Sequence, residues 1–184
     1  MTQARDTAEL PLEGPHWSFA LKLYGRPGVP EACLLLQDRA GVDVNILLFA
    51  LYAAVERGAA LTPRDLQEMD AAVAAWRSEL ILPLRSIRRR LKTGPEPAPA
   101  AATEALRSKV KAAELQAEQI EQAVLMHWLA QRAGQPERCP GELDALVRSV
   151  VSHFSGAAGE PTESQDIARA IGTLTEQAAA AGPG

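Results

Sequence analysis

The chain has 184 residues, a formal net charge of −4 at pH 7 and a hydrophobic share of 47%, of which only a small part is aromatic. This length fits one domain with its own core, and the acidic balance provides no overall field that would attract nucleic acid or an anionic membrane. The longest apolar run, 46–55, is too short to cross a bilayer, and residues 1–14 lack the apolar stretch of a signal peptide. These two observations lead us to expect a cytoplasmic protein. The abundant alanine, leucine, glutamate and arginine are good helix formers, so we also expect it to be helical.

The first part of the chain predicts a flexible arm followed by three short helices with glycine turns between them. Residues 1–14 show no hydrophobic periodicity and predict the arm. Helices are expected at about 15–25 and 30–40. Asp43 is a natural N-cap for a third helix, Val44–Arg57, because its carboxylate can accept a bond from an otherwise free amide. This third helix is apolar nearly all round, which predicts that it lies at the centre of a bundle.

A fourth helix and a basic segment come next. Thr62 stands where an N-cap belongs, directly before a proline, and apolar residues then recur at steps of three and four. Pro83 lacks a backbone N–H and should kink or interrupt this helix. The following segment, 84–92, carries five cations in nine residues and should also be helical. Residues 94–102 are rich in proline and predict an extended connector.

The remainder predicts one long helix, one short helix and a tail. The long helix is expected at 104–133 with Thr103 as its cap. Its apolar side chains form a seam with heptad-like spacing: Leu106, Val110, Ala113, Ala117, Ile120 and Val124. A sixth helix is expected at 142–154. Residues 157–184 have low complexity and predict a loose C-terminal tail, within which 164–181 could form a marginal helix.

These segments together predict an all-α bundle of five or six helices. No part of the chain alternates convincingly as a strand. The bundle is expected to form a single domain over 15–156, with the arm and the tail outside it and the helix at 44–57 in its centre.

Four motifs are spread along this domain. They read W-x-F-A-L-x-L-Y from Trp17, C-L-x-L-Q-D from Cys33, G-V-D-V-N-x-L-L-F from Gly41 and W-R-x-x-L-x-x-P-L-R-x-x-R-R-x-L-K from Trp76. Together they resemble a family of short bacterial proteins described only as a domain of unknown function. The resemblance covers about 17–128. It implies a helical bacterial protein and supplies no activity.

The turn before the third helix is the first candidate site. Asp43 and Asn45 can simply cap that helix, or they can form a polar pocket in which an anion binds the free amides at its positive end. Gln37 and Asp38 end the preceding helix and could line the same pocket. The offset of Asp38 from Asp43 across a glycine turn fits neither an EF-hand loop nor a helical pair of carboxylates. The sequence therefore predicts no metal site here.

The basic segment is the second candidate site. Its cations share one helical face: Arg85, Arg88, Arg89 and Lys92. The long helix carries a complementary acidic stripe: Glu114, Glu118 and Glu121. One interpretation is a structural ion ladder between the two segments. The other is a phosphate or nucleic-acid contact through the arginine forks, which the acidic total and the lack of interleaved aromatics disfavour.

Three hypotheses for the function follow from these patterns. The leading hypothesis is a non-enzymatic module that presents a helical face to a protein partner, without a cofactor. The alternative is a small-molecule or anion site, with or without catalysis, between the Asp43–Asn45 turn and the Arg85–Lys92 segment. A third is weak nucleic-acid binding through the basic segment. The residues leave the partner and the oligomeric state open.

Overall fold

The computed structural model describes residues 11–94, 96, 98–132, 143–156 and 164–182. These residues form eight α-helices and no strand. The helices are α1 (Pro15–Tyr24), α2 (Val29–Ala40), α3 (Val44–Arg57), α4 (Pro63–Trp76), α5 (Leu82–Arg90), α6 (Ala100–Ala130), α7 (Leu143–Ser155) and α8 (Gln165–Ala179). The all-α prediction is thereby confirmed for the described part of the chain, although it counted too few helices. Most of the predicted arm lies outside the described residues, and so do residues 133–142 between the long helix and the sixth predicted helix.

Helix α3 lies at the centre of the bundle. Ten of its fourteen residues, Asn45 to Ala54, are buried without a break, and α1, α6 and α7 pack around it. The Asp43 side chain caps the helix by accepting bonds from the amides of Asn45 and Ile46, at 2.8 and 3.2 Å. An unbroken apolar run over ten residues exposes no polar face, so the helix is stable only when neighbours cover every side.

Helices α4 and α5 form one interrupted rod. Thr62 caps α4 in a capping box with Asp65. A π-helical turn, Arg77–Ile81, then connects α4 to α5, and the Leu82 amide donates to the Arg77 carbonyl five residues earlier. Pro83 lies in the first turn of α5, where a missing backbone donor is tolerated. The interruption expected at this proline is thus a π turn just before it.

Helix α6 differs from its prediction in both its start and its buried face. It begins at Ala100, inside the predicted connector, and Thr103 lies within its first turn instead of capping it. The predicted apolar seam is only partly confirmed, because Leu106 and Ala113 are exposed and Ala117 is the one member of the seam that is fully buried. The other buried positions of the helix lie outside the seam: Glu114, Glu121, Gln122, Ala123, Leu125 and Leu129. The buried face of α6 therefore includes two carboxyl groups.

Helix α8 confirms the helix expected within 164–181, but it is a core element, so the expectation that it is marginal and part of a loose tail is wrong for 165–179. Its apolar face is buried: Ile167, Ala170, Ile171, Leu174 and Ala178. It packs mainly on α2 and also on α7. Gly28, at the start of α2, has a φ of +79°, and a side chain there would also meet Thr173 of α8. The sequence hides this role because the helix is rich in alanine and its apolar stripe is narrow.

A search of the described residues finds no helix with the length and hydropathy needed to cross a membrane.

Candidate functional site

A ladder of ion pairs joins α5 to α6. The guanidinium of Arg85 donates from Nε to Glu114, from Nη1 to Gln37 and from Nη2 to Glu118, at 3.0, 2.7 and 2.8 Å. Arg88 makes two further bonds to Glu114, from Nε and Nη2. Four of the predicted cations and carboxylates thus meet in one cluster with Gln37 near the end of α2. Because this cluster is partly buried, its pairs are screened less than surface pairs.

The two carboxyl groups of the ladder have opposite pKa shifts. Burial alone would raise the pKa of Glu114, but hydrogen bonds from Arg88 and Arg85 outweigh it and hold the pKa below its ordinary value. Burial raises the pKa of Glu118, and the negative charge of Glu114 acts in the same direction against the attraction of Arg85. Two acids one helical turn apart therefore differ in how readily they lose charge.

The ladder forms one wall of a cavity of about 290 Å³ between α1, α2, α3, α5 and α6. The large apolar residues of the lining come from α1, α2, α3 and α6, and we call them the apolar wall: Trp17, Leu21, Tyr24, Leu34, Leu48 and Leu115. The polar wall carries four cations and two carboxylates: Arg85, Arg88, Arg89, Lys111, Glu114 and Glu118. We call this the amphipathic cavity. Its volume is at the lower end of the range of small-molecule pockets, about 300–1,000 Å³.

Cys33 also borders the amphipathic cavity but is fully buried. Burial raises the pKa of its thiol to about 12, so the sulfur stays protonated near neutral pH. The cavity is therefore not a site of thiolate chemistry.

Asn45 connects the amphipathic cavity with the core of the protein. Its Nδ2 donates to Oε2 of Glu121 at 2.6 Å, and its carbonyl accepts a bond from Gln122 at 3.0 Å. Glu121 is fully buried and its Oε1 has no hydrogen-bond partner. Burial raises the pKa of the Glu121 carboxyl to about 9, and the charge of Asp43 adds to this shift. Glu121 is thus neutral at pH 7.

A second cavity, of about 310 Å³, lies on the other side of Asn45. Asp43, Arg77, Gln37 and Arg85 are among its lining residues, so the two cavities share a boundary. Arg77, the first residue of the π turn, donates to Asp43 at 2.9 Å and to Asp70 at 2.6 Å. π turns often occur at functional positions.

Asp70 extends this polar chain to α7. Its second oxygen lies 2.9 Å from Nε2 of His153. The pKa of Asp70 is lowered, because hydrogen bonds to His153 and Arg77 outweigh the effect of burial. The chain of contacts therefore runs from His153 on α7 through Asp70, Arg77 and Asp43 to the buried Asn45.

The predicted site residues fall into three groups. Asp43, Asn45, Gln37 and Arg85 surround the two cavities, as the alternative hypothesis requires. Asp38 and Arg89 also line the second cavity, but they lie on its exposed rim and are 4.0 Å apart. Lys92 is exposed and lines neither cavity.

The structure contradicts the prediction made for Glu121. The sequence predicts it as a third rung of the ladder, whereas the structure buries it against Asn45. Seven residues along a helix correspond to about 10 Å, so Glu121 lies that far along α6 from Glu114 and contacts the start of α3 instead of Arg85 or Arg88.

Sequence reasoning missed the apolar wall and Arg77. The signal for the wall was the spacing of Trp17, Leu21 and Tyr24 in α1, which predicts one face but not whether that face is covered. For Arg77 the signal was its position seven residues after Asp70, on the same side of the helical rod. Within the described ranges, no group of three or more histidine, cysteine or acidic residues is placed to hold a metal ion.

The fold and the site define an all-helical protein with an amphipathic cavity beside a buried ion ladder. The chain belongs to the family described as "Protein of unknown function (DUF2390)", whose model matches residues 15–125. This confirms the resemblance drawn from the four motifs, and every cavity-lining residue named above lies within the matched range. In the comparisons with curated proteins and with solved structures, nothing matches this chain.

Proposed function

We propose that the protein binds a small organic anion with an apolar body in the amphipathic cavity. The observation that carries the proposal is the division of the cavity into an apolar wall and a wall with four cations against two carboxylates. An apolar body would cover the first wall and an anionic head would balance the excess of positive charge on the second.

The exposure of the apolar wall supports this proposal. Eight large hydrophobic side chains are exposed among the described residues, and four of them border the amphipathic cavity. Leu21, Leu34 and Leu115 are 52%, 48% and 47% exposed. An exposed apolar group of this kind beside charged residues is typical of a binding site.

The test uses octanoate as the probe and compares it with octan-1-ol and octylammonium, which have the same tail and a neutral or positive head. We expect octanoate to raise the melting temperature and to give heat in a calorimetric titration. Octan-1-ol should bind more weakly, and octylammonium should bind least. Higher salt should weaken octanoate binding, because some of the attraction comes from partly exposed cations.

Lys111 provides a matched variant. It is an exposed cation on the wall of the cavity, whereas Lys109 is exposed on the same helix away from the cavity. Lys111→Ala should weaken octanoate binding by about two- to fivefold, the effect of one exposed charge, and Lys109→Ala should leave it unchanged. The proposal is wrong if octan-1-ol binds as tightly as octanoate, or if millimolar octanoate has no effect.

A protein partner is the second candidate function, and the width of the apolar wall favours it. A small anion would cover only some of the exposed side chains of Leu21, Leu34 and Leu115. An amphipathic segment with leucines on one face and a glutamate at its centre would cover them all and place its carboxylate near Arg89 and Lys111. Fluorescence polarisation with such a synthetic peptide tests this. Binding that Leu34→Asp removes supports it, and equal binding of a peptide with lysine in place of glutamate contradicts it.

A further inference from the structure

The two carboxylates of the ladder are held very differently. Glu114 receives three hydrogen bonds from Arg85 and Arg88, and its side chain is 6% exposed. Glu118 receives one bond, from Nη2 of Arg85, and its side chain is 20% exposed. Removing Glu114 from the ladder would leave two guanidinium groups without their main partner. Removing Glu118 would free a single N–H group that faces the amphipathic cavity.

The groups around Glu118 make its hydrogen bond from Arg85 easier to break. Its neighbours include Arg85 and Arg88 on α5, Glu114 on its own helix, Tyr24 on α1 and Asp43 before α3. Burial and the two nearby acids disfavour its charge, and Arg85 is the cation that stabilises it. Without the bond from Arg85, the remaining cation of this set is Arg88, and its Nε and Nη2 are already bonded to Glu114. Burial then favours the protonated form of a displaced Glu118.

We propose that Glu118 acts as an internal substitute for the ligand's head group: an entering anion takes over the Nη2–H donor of Arg85, and Glu118 leaves it as a neutral carboxylic acid. This inference rests on the proposed function. The proton comes from solvent, and no covalent bond changes. Glu114 keeps its bonds to both arginines, so the ladder stays joined while one acceptor is exchanged for another.

The exchange predicts a specific selectivity and a specific pH dependence. A head group that cannot accept a bond from the guanidinium would fail to displace Glu118, so the site would discriminate against neutral and cationic amphiphiles. Because one proton is taken up as the anion binds, affinity should fall as pH rises, by up to about tenfold per pH unit. The probe must keep its own charge over this range, and octane-1-sulfonate does so.

Calorimetric titration of the full-length chain with octane-1-sulfonate tests the exchange. Titrations at pH 7 in Bis-Tris and in Tris, two cationic buffers that differ in ionisation enthalpy and do not compete for an anion site, measure the number of protons bound. We expect close to one proton per ligand for the natural chain. Glu118→Gln removes the competing charge, so it should bind the probe about tenfold more tightly, with no proton uptake. The control is Glu104→Gln, an exposed carboxylate on the same helix, which should behave like the natural chain.

The outcomes separate this inference from the function on which it rests. If both chains bind the probe equally and neither takes up a proton, the exchange is wrong and the anion site stands. If neither chain binds the probe or octanoate, the anion site is wrong and the exchange falls with it. Proton uptake is measured on the natural chain, so this readout remains decisive even if Glu118→Gln proves too unstable to purify.

Discussion

Glu121 gives the sharpest prediction about stability. Its carboxyl group is fully buried, with one oxygen bonded to Asn45 and the other without a partner. Glu121→Gln keeps the shape of the side chain and an oxygen that can accept the Asn45 bond, but it removes the ionisable group. We therefore expect the substitution to stabilise the protein at neutral pH.

The size of this effect follows from the pKa of Glu121, which rises from 4.5 to about 9 on folding. Between these values the folded protein holds a proton that the unfolded chain releases. The contribution of Glu121 to stability is therefore greatest below pH 4.5 and falls by about 1.4 kcal/mol per pH unit until pH 9. At pH 7 the accumulated cost is about 3 kcal/mol, and Glu121→Gln should recover most of it.

Urea unfolding at pH 5, 7 and 9, followed by circular dichroism, measures this difference in the free energy of unfolding. The variant and the natural chain should be nearly equal at pH 5, and the variant should gain with each rise in pH. Glu79→Gln, an exposed acid in the π turn, is the control and should change stability by less than about 0.5 kcal/mol at every pH. Parallel pH curves for Glu121→Gln and the natural chain would refute the reasoning, because Glu121 would then ionise normally in the fold.

Four further substitutions test the packing. Glu114→Gln should cost about 3 kcal/mol in chemical denaturation because it leaves two partly buried arginines without their main acceptor, whereas Glu104→Gln, at an exposed pair, should cost under about 0.5 kcal/mol. Ile171→Ala in α8 should lower the free energy of unfolding by about 2–4 kcal/mol, and a change within experimental error would restore the loose-tail interpretation. Gly172→Ala should raise the melting temperature, since this helical glycine has open space around it. Gly28→Ala, at a positive φ, should lower it, and a rise for Gly28→Ala or a fall for Gly172→Ala would contradict the assignment at that position.

Local signals predicted most helices and one of the principal contacts. The Asp43 cap, the Thr62 cap and the glycine stops act within one or two turns, so the printed sequence contains their whole physical cause. The arginine and glutamate stripes were also visible, because complementary charge at helical spacing favours facing helices. The apolar wall of the candidate site could not be predicted in this way, because its residues come from α1, α2, α3 and α6 and the charged stripes do not identify them.

The incorrect predictions concern positions at which the same type of residue can be either exposed or buried. Leu106 and Leu125 are equally apolar, yet one is exposed and the other buried. Helix α6 has 31 residues and is therefore about 46 Å long, and most of its side chains before Glu114 are exposed. Periodicity identifies a face of a helix but not how far along the axis its neighbours extend.

Caps, glycines and apolar runs act over only a few residues. They were therefore sufficient to predict that the chain is helical, where α3 begins and ends, and that Ile46 to Ala54 must be covered on all sides. The way in which the helices pack determines that Glu114 joins two arginines, that Glu118 borders a cavity, and that Glu121 is buried and neutral. These three acids share one face of one helix, and they differ only in what lies opposite each of them. That depends on the axial position of α5 and of the start of α3, which no local signal specifies.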